Sequence, residues 1–133
     1  ALFTGFLRGQ VAGWPDRATG TDPVWPAPGP DAKGSDALAA AVGRTAGAVG
    51  YVEMTFALTR RLAVAAVVNR DGRAVGPSLR SVAAAARGLD PPADLRFSLL
   101  DRPGADSYPL CGATWAVLYA DPPGGRAADA AGF

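Results

Sequence analysis

Lys33-Gly34-Ser35-Asp36 places a cation, a glycine, a hydroxyl and a carboxylate side by side, immediately before a run of strong helix formers, Ala37 to Arg44. A helix starting here presents amide groups that have no partner within the helix, and small anions settle on such ends. Lys33, Gly34 and Ser35 are therefore the candidate ligand-binding residues. The same residue types also serve simply as a cap, because either Ser35 or Asp36 can accept from those amides.

Little else in the chain has the makings of a reactive site. Histidine is absent, so neither a Ser-His-Asp nor a Cys-His arrangement can be assembled. Zinc would have to rest on the single cysteine, Cys111, and scattered aspartates. Asp90, Asp94, Asp101 and Asp106 lie in a proline-rich stretch, but without the alternating spacing of a calcium loop they read as solvated loop charge. Neither phosphate-cradling glycine fingerprint occurs. The chain is expected not to be an enzyme, and to use no cofactor and no metal. Cys111 stands at the entrance to an apolar segment, where a small buried side chain is the expected role. Trp14 and Trp25 fall in a loop; an aromatic pair can stack on a sugar or base, but the expected role here is to pin that loop onto a core.

Composition sets the outer bounds. A chain of 133 residues with 49% hydrophobic and 19% charged residues is sized for one modest core. Thirteen basic residues oppose twelve acidic ones, and the arginines are scattered rather than gathered in a stripe. Nucleic acid is thus an unexpected partner. No apolar run approaches the roughly 20 residues that cross a bilayer.

In order along the chain, Leu2, Phe3, Phe6, Leu7 and Val11 line one face of a helix. No capping residue precedes it, so Ala1 is expected to be an excision point. Residues 12–31 carry Pro15, Pro23, Pro26, Pro28 and Pro30 and read as irregular. After the helix at Ser35, the stretch Gly47-Ala48-Val49-Gly50-Tyr51-Val52-Glu53 has the branched residues of a buried strand, with glycines that admit close neighbours. A short helix over Met54 to Arg61 and a second buried strand over Leu62 to Val68 follow. Asp71-Gly72 signals a reversal, and Pro77-Ser78 opens a helix that runs to Arg87 and stops at Gly88. Residues 89–109 form a loop with a short helical turn near Leu95 to Leu99. Ala113 to Tyr119 reads as a third strand, and Arg126 to Phe133 as the start of a helix cut short. Helices alternating with buried strands are the pattern of an α/β sheet protein.

Ala1-Leu2-Phe3-Thr4, Trp25-Pro26, Lys33-Gly34-Ser35-Asp36, Gly47 to Glu53, Asp71-Gly72, Ala84-Ala85-Ala86-Arg87-Gly88 and Thr114 to Tyr119 occur in one order. In that order they resemble the later part of the extracytoplasmic phosphate-binding protein of the bacterial phosphate ABC transporter. The resemblance implies an α/β, partial periplasmic-binding-protein-like fold. Residues 1–112 would form most of one lobe, and residues 113–133 the connection returning to the second. It also implies inorganic phosphate as ligand of the intact protein and an ABC transporter membrane permease as partner. The location would be extracytoplasmic, with membrane contact only through an anchor or permease outside this chain. In the family an Arg-containing Ser-Gly-Thr loop just upstream of the first helix grips the phosphate, and it is not among these residues. A lobe without its neighbours is expected to leave an apolar flank uncovered.

Overall fold

The structure, a computed structural model, describes residues 2–25, 29 and 32–117. Four helices form where the spacing places them: α1 (Leu2–Gln10), α2 (Ser35–Arg44), α3 (Met54–Thr59) and α4 (Leu79–Ala86). On α1 the inward face buries Phe6 and Thr4. Thr4 also ties the following loop to the helix, its hydroxyl donating to the Gly20 carbonyl and accepting from the Gly20 amide, both at 3.1 Å. Among its described residues the loop holds one 3-10 turn, Asp16–Ala18, whose Ala18 is fully buried.

The reversal at Asp71-Gly72 forms as expected. It joins β1 (Val67–Val68) to β2 (Ala74–Val75) in an antiparallel hairpin with Val67 opposite Val75 and Val68 opposite Ala74. Gly72 takes a φ of 75°, a left-handed conformation that costs a glycine nothing. The turn is locked by Asn69, which is buried. Its side-chain oxygen accepts from the amides of Asp71 and Arg73, and its side-chain nitrogen donates toward the carbonyls of Gly104, Ala105 and Ser107 at 3.0–3.2 Å. One short polar side chain therefore closes the hairpin and fastens a distant loop to it.

Beyond the hairpin, Ser78 caps α4. The Ser78 hydroxyl accepts from the Ser81 amide at 3.1 Å while the Ser81 hydroxyl accepts from the Ser78 amide at 2.9 Å, a reciprocal box at the helix start. Helix α4 then buries Ala84 and Ala85. Ala85 packs with Leu99 and Cys111 in a core to which Val82, Leu89, Phe97, Tyr108 and Ala113 contribute. The helix gives way at Arg87 and Gly88, as expected, with Gly88 at a positive φ.

Of the three expected strands, only Val67–Val68 is built as strand among the described residues. Residues 48–53 form no ladder, only Val67 and Val68 of the 62–68 stretch pair, and residues 113–117 pair with nothing regular. The physical reason is common to all three. A helix satisfies its own backbone within one segment, whereas a strand exists only beside another strand. What forms among the described residues is thus a mixed helix and small-sheet structure, with the two-stranded hairpin in place of the expected larger sheet. The helical turn expected at Leu95 to Leu99 is also replaced. Leu95 sits at a positive φ of 56°, incompatible with a right-handed helix, and the chain continues to an isolated bridge between Leu100 and Leu110.

The expected helix at Arg126 to Phe133 lies outside the described residues. So do Leu118 and Tyr119 of the third strand and Pro26, Pro28 and Pro30 of the loop. No helix among the described residues is long and apolar enough to cross a membrane.

Candidate functional site

Helix α2 begins at Ser35 because Gly34 occupies the cap position, with φ 86° and ψ 160°, and its carbonyl accepts from Leu38 at 3.0 Å. The expectation that Ser35 or Asp36 would cap the helix is corrected here. Both lie inside the first turn, and no side chain caps the end. Asp36 is engaged elsewhere: Arg60, just past α3, donates to its two carboxylate oxygens at 2.7 and 2.8 Å through a single nitrogen, with a second donor at 3.1 Å. The amides of Ser35, Asp36 and Ala37 consequently meet no acceptor among the described residues.

The structure therefore brings Lys33, Gly34 and Ser35 to an open helix end, with Lys33 and Gly34 exposed and Ser35 partly buried. That arrangement can attract an anion through the unpaired amides, the helix dipole and the lysine ammonium. It cannot strip water from one. A dehydrated oxyanion needs donors from several directions, and here all the candidate donors come from one helix start. The Asp36 carboxylate in the same turn opposes a second negative charge, an effect that its pairing with Arg60 reduces.

Sequence reasoning passed over a second polar site. Arg73, Arg80, Ser78, Ser81 and Asp106 line an open hollow of about 260 Å³ at the start of α4. The signal was available in the Ser-x-x-Ser spacing, but both hydroxyls are spent within the protein. They bond each other at 3.0 Å, and Ser81 also donates to the Gly76 carbonyl at 2.8 Å. Arg80 lies 3.8 Å from Asp106, both well exposed. This cluster secures α4 more than it offers a seat.

Trp14 and Trp25 do what was expected of them. Trp14 donates from its ring nitrogen to the Ala18 carbonyl at 3.3 Å and meets Trp25 edge-on at 6.5 Å. Trp25 in turn contacts Phe3 and Tyr51, and those two rings stack at 4.5 Å. The loop is thereby nailed to α1 and to the stretch after α2.

Cys111 is buried and its thiol lies 3.1 Å from the Tyr108 carbonyl. Burial pushes the thiol pKa up, and burial followed by the nearby Cys111 raises that of the Tyr108 phenol. A thiol held protonated is a poor nucleophile, in keeping with a packing role. The four loop aspartates are dispersed. Asp101 accepts from the Arg70 amide and from the Gln10 side chain, Asp94 accepts from the Arg96 amide, Asp106 faces Arg80, and Asp90 is exposed.

No family model matches the chain. It is similar to curated phosphate-binding proteins named PstS. That of Xylella fastidiosa is 29% identical over 119 residues, which cover 87% of this chain and 32% of the relative. That of Methanocaldococcus jannaschii is 28% identical over 132 residues, 90% of this chain and 34% of the relative. That of Pasteurella multocida is 29% identical over 120 residues, 88% of this chain and 35% of the relative. The chain thus spans about a third of the length of the curated relatives it matches.

Proposed function

We propose that this chain is part of an extracytoplasmic protein that binds inorganic phosphate and delivers it to an ABC transporter membrane permease. The carrying observation is similarity to phosphate-binding proteins along nearly nine-tenths of the chain. In this reading residues 1–112 are most of one α/β lobe, and residues 113–133 return the chain to the other. Closure of two lobes over the anion supplies donors from opposing sides, which the open end of α2 lacks. Lys33, Gly34 and Ser35 then add at most an outlying anion contact, and the main grip belongs to the Ser-Gly-Thr loop expected upstream. Its role is carriage without catalysis or cofactor, and any membrane contact is made through an anchor or the permease.

A second reading, a non-catalytic interaction module derived from such a lobe, is favoured by one observation. Val49 and Val117 are 95% and 91% exposed, apolar surface that such a module would use as contacts.

Calorimetry with the 133-residue chain separates the possibilities. With millimolar inorganic phosphate it should give no saturable heat of micromolar affinity. Heat of that kind would place a complete site within these residues, and preferential binding of sulfate or a small organic acid would change the ligand. A reading frame lacking an Arg followed by Ser-Gly-Thr ahead of Ala1 would favour the interaction module.

A further inference from the structure

Strand β1 continues backward into a straight run whose edge stays open. Residues 62–66 neither turn nor bend before the chain enters the strand at Val67. Both ends of this run are fastened. Leu62 donates its amide to the Ala57 carbonyl at 2.9 Å and reaches α2 at Gly43, while Val67 pairs with Val75. Between those points Ala63 to Ala66 are exposed, and their backbone groups meet no partner among the described residues. Leu62 to Val68 contains no charge, proline or glycine, the devices that commonly keep an edge from pairing.

The register of the hairpin decides which groups lie on that edge. Asn69 donates its amide to the Arg73 carbonyl at 2.9 Å, and amides alternate in direction along a strand. Val67 and Asn69 therefore turn toward β2, and Val64, Ala66 and Val68 present their amides to the opposite side. Side chains alternate as well, so the same three residues share one face. All three are exposed, Val64 at 46% and Val68 at 57%.

We infer that this edge pairs with the same edge of a second copy of the chain, antiparallel about a twofold axis at Ala66. The occupant follows from self-complementarity. With Ala66 opposite Ala66, Val64 of each copy falls opposite Val68 of the other, and these branched side chains cover one another twice. The same register brings exposed Arg61 of one copy toward exposed Asp71 of the other at each end, whereas a parallel pairing would set Arg61 beside Arg61. The two-stranded hairpins of the two copies then form one four-stranded sheet. A twofold contact is closed, so assembly stops at the dimer. Edge and register come from the hairpin geometry and do not rest on the phosphate-binding reading.

Sedimentation velocity on the 133-residue chain should show a monomer–dimer equilibrium below about 1 mM, in keeping with a small interface. On dimerisation, hydrogen exchange resolved by NMR should slow at least about tenfold at the amides of Val64, Ala66 and Val68 and stay unchanged at Ala65. Ala66→Pro deletes a donor from the open edge without touching the ladder to β2, and should weaken dimerisation about tenfold or more. Ala66→Lys and Ala66→Glu each set like charges opposite one another and should weaken it by about as much, yet an equimolar mixture of the two should regain association as a mixed dimer. Exchange protection of the Asn69 amide reports whether each variant keeps its hairpin.

A chain that stays monomeric up to about 1 mM would overturn the inference. So would protection at Ala65 in place of Ala66, charge variants that dimerise as well as the parent, or growth beyond the dimer. Lysine and glutamate variants that fail to associate when mixed would overturn the register.

Discussion

Asn69 and Val49 mark two regions that reach opposite ends. Around Asn69, one side-chain amide answers five backbone groups from two loops, and a hairpin, a capped helix and a small core grow outward from it. Around Val49, itself 95% exposed, only Gly50 lies against α2 and Tyr51 against Phe3 of α1, and the backbone of 49–52 finds no hydrogen-bond partner among the described residues. The difference lies in where the partners come from. The Asn69 region draws them from turns and from a loop that folds back within the same chain, whereas a strand at Val49 requires a neighbouring strand that none of the described residues supplies. Side-chain packing can proceed without that neighbour, but the ladder cannot.

The comparison breaks most severely at Asn69 itself. Asn69→Ala orphans carbonyls and amides together and should destabilise the hairpin region by roughly 3 kcal/mol, a large fraction of a small domain's stability. Urea unfolding would measure the loss, and hydrogen exchange should place it at residues 69–76 and 104–107. An effect under 1 kcal/mol would mean that water replaces the amide readily and that the two regions differ less than their geometry suggests.

A smaller loss is expected at the start of α4. Ser78→Ala removes the hydroxyl that accepts from Ser81 and should cost about 1 kcal/mol, read as a lower midpoint in thermal unfolding. The cost should stay confined to α4 and its hairpin if the regions are independent.

Alkaline pH sharpens the contrast further. The folded-state pKa values of Cys111 and Tyr108 are both raised by burial, so the folded chain holds these protons more tightly than the unfolded chain. The resulting stability is fully present below their ordinary pKa values and is lost as pH rises through the raised ones. Unfolding free energy measured from pH 8 upward should therefore decline above about pH 9, the ordinary thiol value. Cys111→Ala should flatten the first part of that decline. An identical slope in the variant would assign the effect to other groups.

The smallest effects belong to the exposed side. Val49→Thr should change the stability of the free chain by less than about 0.5 kcal/mol, because its side chain is already in water. Breaking the exposed Asp36–Arg60 pair with Asp36→Asn should cost no more than about 1 kcal/mol and progressively less as salt is added. A larger, salt-independent loss in denaturant titrations would show that this pair positions α2 against α3.

The helices, the Asp71-Gly72 reversal, the stop at Gly88 and the pinning role of the tryptophans were legible in the sequence, because spacing and turn chemistry act over a few residues. The candidate anion residues were legible only as a helix start. Nothing in Lys33-Gly34-Ser35-Asp36 announces that Gly34 takes the cap or that Arg60 claims the Asp36 carboxylate from a distant helix. Likewise, the β-branched residues at 47–53, 62–68 and 113–117 record a preference for strand without specifying the strand beside them.

Sequence by itself thus determined the local elements and the absence of histidine chemistry, since both follow from residue identity and near-neighbour spacing. Tertiary structure alone decided that Asn69 would bind five backbone groups, that the end of α2 would stay open, and that Val49 would face water. Each of these depends on which backbone groups meet across long stretches of chain, and a hydrogen bond exists only when both of its partners are in reach.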